Sequence, residues 1–264
     1  MSKRLSAIDS WLGVIVLLSA WQLGSTLGLL DPRLIPSPVM VIVGTFTELT
    51  LERFLADVQA SVFRVAAGFF LASLLGVSLG VASGWYRVLG DLVRAPVDLL
   101  RPIPPLAWIP AALIWFGLGE PSKVFVICLA AFFPTFTNTY AGMRKIDRDI
   151  LNAARMMGLS GWRLLWRVAI PAIEPDIVTG LRIALSLSFG VLVAAELIAA
   201  KSGLGYLILH AREVGQLELV LFGIATIGTV TLLSDFVLAQ LFQRYRLRWY
   251  VSATKESLQA TKQP

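Results

Sequence analysis

At 264 residues, with 56% hydrophobic and 15% charged, the chain is too apolar for an ordinary soluble domain, where about a quarter of residues carry charge. Its 23 basic residues outnumber 17 acidic ones, but they sit between long apolar runs, which points to membrane orientation rather than to nucleic acid. The single cysteine, Cys128, excludes an internal disulfide, and no metal-ligand spacing occurs in the sequence.

Six runs of membrane-spanning length follow one another. The first, over about 10–30, is uncharged between Asp9 and Asp31. It is longer than the apolar core of a signal peptide and shows no small-residue cleavage site, so it is expected to be retained. Pro36-Ser37-Pro38 ends it, and Val39 to Leu51 reads as a short amphipathic segment along the outer interface. The second run, 64–86, spaces Gly76 and Gly80 four apart, a pattern that lets helix backbones approach closely in lipid. The third, 102–119, opens with Pro102, Pro104 and Pro105, which predict an irregular bend at a membrane entrance. The fourth, 123–143, and the fifth, 176–200, flank a polar loop over 144–171. The fifth contains Arg182 and Glu196, and the sixth, 219–243, contains only Asp235. The expectation is an all-α integral membrane protein, with one transmembrane domain over 1–252 and a polar tail over 253–264. Soluble bundles seldom run ~20 residues without charge.

Loop charges set the expected orientation. Lys3, Arg4, Arg87, Arg94, Arg101, the six basic residues from Arg144 to Arg167, and Arg244, Arg246 and Arg248 fall on one side. Only Arg33, Arg53, Lys123, Lys201 and Arg212 fall on the other. The positive-inside rule then places both termini in the cytoplasm of a multi-pass plasma-membrane protein.

The 144–171 loop carries the chemistry. Ile146, Ile150, Ala153, Ala154 and Met157 recur three or four apart and predict one apolar helix face. Gly158 and Ser160-Gly161 interrupt it, and a second helix is expected from Trp162 to Ala169. Ala153, Ala154 and Gly158 make a low surface at a helix end, suited to a cleft on a partner protein. The plainer alternative is a helical hairpin resting on the bilayer.

These residues resemble the coupling motif of binding-protein-dependent ABC importer permeases: Glu-Ala-Ala, three residues, Gly, nine residues, then Ile-x-Leu-Pro. The matching positions are Asn152-Ala153-Ala154, Gly158 and Val168-Ala169-Ile170-Pro171, with Asn152 where the motif has Glu. Pro32 to Pro38, Arg101 to Gly119, Ala194 to Ala200 and Ser202 to Tyr206 are similar to the nitrate, sulfonate and taurine branch, and Arg101 to Trp108 most resembles the taurine permeases. The resemblance implies the six-helix type I importer architecture, with a coupling helix between spans four and five. It implies that Asn152, Ala153, Ala154, Arg155, Met157, Gly158 and Pro171 meet the ATPase. It further implies a homodimer, two cytoplasmic ATPase subunits and a periplasmic or lipid-anchored substrate-binding protein. The implied cargo is taurine or a related aliphatic sulfonate; nitrate, bicarbonate or an aromatic acid are the alternatives. No cofactor is expected in this chain. It has no G-x-x-x-x-G-K-[ST] loop, so ATP and Mg belong to the partner.

Charges within spans need a reason. Arg64 stands at an expected span boundary, where it would snorkel to the interface or line the pathway. Arg182 is read as an ion pair or a pathway residue, Glu196 as a gate or a loop cap, and Asp235 as half of a structural pair. Asn138, Thr135, Thr139 and Ser186 are candidate polar lining, or helix-to-helix hydrogen bonds. His210, alone, is not expected to bind metal. A membrane enzyme would need paired carboxylates, a nucleophile with its base or a metal cluster, and a secondary transporter would often show internal repeats; the sequence offers neither, and no catalytic residue is assigned.

Overall fold

The computed structural model describes residues 2–245, with side chains from residue 12 to 242. The expected tail, Arg246 and Arg248 lie outside the described residues, as do the side chains of Lys3, Arg4 and Arg244. Among the described residues every regular element is helical: α1 (Ser2–Thr26), α2 (Pro38–Glu48), α3 (Leu51–Trp85), α4 (Arg87–Leu100), a 3-10 turn (Pro105–Trp108), α5 (Ile109–Phe116), α6 (Glu120–Lys145), α7 (Arg148–Met156), α8 (Gly161–Leu164), a π-helical turn (Leu165–Ala169), α9 (Ile170–Ala172), α10 (Glu174–Ala199), α11 (Leu204–Glu213) and α12 (Leu217–Tyr245).

Four helices, α3, α6, α10 and α12, are long and apolar enough to cross a membrane. In α1 the apolar stretch with described side chains is the shorter Leu12–Thr26. The second expected span begins earlier than residue 64, because α3 starts at Leu51. The third departs from expectation. Residues 102–119 form no single spanning helix; the 3-10 turn and the eight-residue α5 follow α4 at a bend of 87°. Pro102, Pro104, Pro105 and Pro110 explain the break, since each removes a backbone donor and blocks the preceding turn. The amphipathic segment after Pro38 is helical as expected, with Ser37 Oγ accepting from the Met40 amide as its cap.

The chain divides into two compact units, one made of the chain up to Ser61 with Glu196–Gly228, the other of Val62–Ala195 with the chain from Thr229 onward. In the second unit α3 and α6 meet along a row of small residues four apart. A Cβ added at Gly68 would lie 2.6 Å from Ile127, at Gly76 2.9 Å from Thr135, and at Gly80 2.7 Å from Thr139. Only glycine lets the backbones come this close. Ala72, Ala131 and Ala184, all fully buried, continue the packing onto α10. Gly180 of α10 then rests on Asn138, and Gly142 of α6 on Asp176. Larger side chains close the layers on either side, with Val65, Ile127, Leu185, Phe189 and Leu192 in one cluster and Val97, Phe133 and Phe136 in another. In the first unit the Phe54 and Phe222 rings meet at a tilt of 52°, with centroids 5.4 Å apart, and Gly44 abuts the Glu218 side chain.

Candidate functional site: an exposed loop and three polar clusters

The 144–171 loop is built on a firm base. Asp147 starts α7 by accepting the Asp149 amide at 2.9 Å. Gly158 ends it at φ +86°, where the Gly158 amide donates to the Arg155 carbonyl and the Leu159 amide to the Ala154 carbonyl, at 2.9 and 3.1 Å. These two bonds close a helix end that favours glycine at its left-handed position. The π-helical turn and α9 carry the chain back, with Leu165, Ala169 and Ile173 packed on Met143 and with Val81, Trp85, Ile146 and Ile177 around them. A wide π turn of this kind is common where helices carry function.

Above this base the loop presents apolar side chains to solvent. Met156 and Met157 are 90% and 82% exposed, and Ile150, Trp162 and Trp166 are more than half exposed. The single apolar face expected for α7 is therefore split. Ala154 turns inward and Ile146 joins the base, whereas Ile150 and Met157 turn outward. Asn152 Oδ1 accepts from Arg155 Nη1 at 3.0 Å, so the residue that replaces the motif's Glu is held on its own helix. Ala153 and Gly158 are exposed as well, and Pro171 stands in α9 near the end of the loop. A surface of this composition, apolar with low ground between, is ordinarily a protein interface.

Three polar clusters lie in the long helices. Arg64 does not snorkel: it is 3% exposed, and its Nε and Nη2 donate to both Glu120 oxygens at 2.5 and 2.7 Å. Lys123 Nζ joins at 3.0 Å and is itself buried.

The second cluster receives Glu196, which is fully buried. It accepts from Ser61 Oγ at 2.8 Å and from the Gly205 amide at 2.8 Å. Ser61 Oγ in turn accepts the Leu204 amide at 2.9 Å, and Asp57 Oδ1 accepts the Gly203 amide at 2.7 Å. Three amides at the start of α11, which lack intrahelical acceptors, are thus met by three side chains. Of the two readings of Glu196, the loop cap is the one its contacts match.

The third cluster pairs Arg182 with Asp235, Nε to Oδ1 at 2.8 Å and Nη2 to Oδ2 at 2.6 Å. The pair is half open, 50% and 35% exposed, at the wall of a hollow of about 450 Å³ that Thr179, Ser186 and Thr231 also line. Charges at a span centre typically cost about 2.5–3.5 kcal/mol each, which favours their pairing.

The structure therefore brings Arg182 and Ser186 together and sends the other pathway candidates elsewhere. Asn138 packs on Gly180 and donates to the Pro134 carbonyl at 2.8 Å. Thr135 donates to its own helix, and Thr139 is buried at the α3–α6 contact. His210 stacks on Tyr206, and among the described residues no cluster suited to a metal ion occurs. Sequence reasoning missed Asp57, Ser61 and Glu120; the four-residue spacing of Asp57 and Ser61 on one helix face was the available signal.

Over residues 68–247 the sequence matches the family described as the binding-protein-dependent transport system inner membrane component. The taurine transport system permease protein TauC of Escherichia coli is 38% identical over 243 residues, covering 89% of this chain and 87% of its own. The bicarbonate transport system permease protein CmpB of Synechococcus elongatus is 36% identical over 248 residues, covering 89% and 88%. A chain of the inward-facing MetNI methionine ABC transporter superposes with a TM-score of 0.64 over 74% of this chain and 99% of that one. At 17% identity that likeness concerns the fold.

Proposed function

The chain belongs to the binding-protein-dependent transport system inner membrane component family, and on that footing we propose that it passes taurine or a related aliphatic sulfonate across the inner membrane. As a permease subunit with the type I ABC importer fold, it is a transport component and not itself an enzyme. In this reading two copies form the channel, and a separate ATPase pair holds ATP and Mg. A periplasmic or lipid-anchored binding protein delivers the cargo, and both termini face the cytoplasm.

The observation that carries the reading is the loop between α6 and α10. It exposes Met156, Met157, Trp162 and Trp166 together with the small Ala153 and Gly158, a composition suited to a cleft on an ATPase. Its base includes Met143 of α6, Ile173 just before α10 and Ile177 within α10. ATPase closure would then move helices rather than a free loop, a rigid-body coupling. Cargo preference rests on relatives, and the bicarbonate permease among them keeps that anion as the second reading.

The test is uptake by cells expressing the chain with its ATPase and binding protein, offered labelled taurine, ethanesulfonate, nitrate and bicarbonate in turn. ATPase-dependent taurine or ethanesulfonate uptake is expected. Bicarbonate or nitrate uptake alone would replace the cargo, and uptake by this chain without an ATPase would refute the coupling.

A further inference from the structure

We propose that the hollow beside Arg182 and Asp235 is a station on the translocation route, where the oxyanion headgroup of a sulfonate or carboxylate takes Asp235's place on the Arg182 guanidinium. The proposal rests on reading the chain as a permease for small anions.

Position comes first. Counted from Glu174, the first residue of α10, Arg182 lies about 12 Å along the axis at ~1.5 Å per residue. For a span that enters the membrane near the start of α10, this position would fall within a hydrocarbon layer of about 30 Å. Charged groups that are half open at such a depth face water or protein, not acyl chains. The Arg64 group shows the contrasting design: a guanidinium 3% exposed and closed off by Glu120.

Geometry comes second. The guanidinium meets Asp235 through two parallel bonds, the fork that also fits two oxygens of a sulfonate or carboxylate. Thr179, Ser186 and Thr231 line the same hollow of about 450 Å³, with the Thr179 hydroxyl donating to the Pro175 carbonyl. Small-molecule sites of about 300–1,000 Å³ take ligands of drug size, so a two-carbon sulfonate enters with water to spare.

Chemistry comes third. A lone arginine on the route would hold an anion and stall it. A paired one is neutral, and an arriving oxyanion exchanges with the carboxylate instead of adding to an open positive charge. Binding is weak by design, which suits a permease whose affinity resides in its binding protein.

The test uses the full chain assembled with its ATPase in lipid nanodiscs, with labelled taurine and labelled inorganic sulfate as probes. Asp235→Asn should retain at least about tenfold more of either probe than wild type, a change worth 1.4 kcal/mol. The double variant Arg182→Gln with Asp235→Asn should return to the wild-type level. Retention that does not rise in Asp235→Asn, or that survives loss of Arg182, overturns the proposal. A charge-swapped chain, Arg182→Asp with Asp235→Arg, keeps a helix-to-helix ion pair but reverses its donor. It should transport poorly, and wild-type uptake by it would reduce the pair to a staple. Cargo is read separately from uptake by the wild-type complex: import of bicarbonate without taurine refutes the sulfonate reading, while the two retention arms still decide on the station.

Discussion

Gly158 and Gly161 offer a matched pair of perturbations within one loop. Both hold left-handed backbone, at φ +86° and +51°, and a Cβ at either meets nothing within 4 Å. Leucine at either position therefore carries the same kind of penalty, about 1–2 kcal/mol of backbone strain, with no clash inside the chain. Part of the strain is common to both positions, although φ +86° lies further from the left-handed well than +51°. An excess loss at Gly158 well beyond the tenfold that about 1.4 kcal/mol of extra strain would give is inflicted by something outside the chain. If Gly158 faces the ATPase beside Ala153, a side chain there should remove an interface contact worth about 2 kcal/mol or more, roughly 30-fold. Uptake and stimulation of the partner ATPase by loaded binding protein measure the effect, with membrane abundance of each variant as the control. Gly158→Leu should lose about 30-fold more uptake than Gly161→Leu at equal abundance. Equal losses would assign the effect to the backbone and refute the docking surface.

Glu196→Ala strands the Ser61 hydroxyl and the Gly205 amide in a buried place, at about 1–3 kcal/mol per orphaned group. A drop in Tm of about 5 °C or more is expected in detergent at this chain length. Gly80→Leu drives a side chain into Thr139, 2.7 Å from the first added carbon; overpacking of about 1–3 kcal/mol or more should show as lost folded protein in size-exclusion profiles. Arg64→Lys keeps charge but cannot make both bonds to Glu120, so it should be less stable than wild type in thermal unfolding, and Arg64→Ala lower still.

What could be read from sequence depended on how far apart the partners lie. The loop was legible because its signal is local: Asn152 to Pro171 is one short stretch with fixed spacing, and Gly158 stands where a helix must stop. Ion pairing was legible in kind for Arg182 and Asp235, because isolated charges in apolar runs need partners, although nothing in either run named the other. The burial of Arg64 is not legible in sequence, because Glu120 is 56 residues away and the uncharged run starts only after residue 64. With α3 starting at Leu51, Asp57 and Ser61 become interior helix residues, and Glu196 gains its hydrogen-bond partner. The bend at Pro102 to Pro105 was legible from its prolines; that the helix beyond it is only eight residues long was not, because apolar composition reports solvent preference and not helix length.

The row of glycines between α3 and α6 also decides how force can travel. Each rung seats a particular side chain, Ile127, Thr135 or Thr139, against a bare backbone. Sliding one helix past the other by a fraction of a turn would bring those side chains onto occupied positions. The pair has no slip plane. Met143, opposite Gly84 at the last rung, is also a member of the cluster beneath the loop. Met143 thus joins the base of the loop to the α3–α6 contact at a single residue.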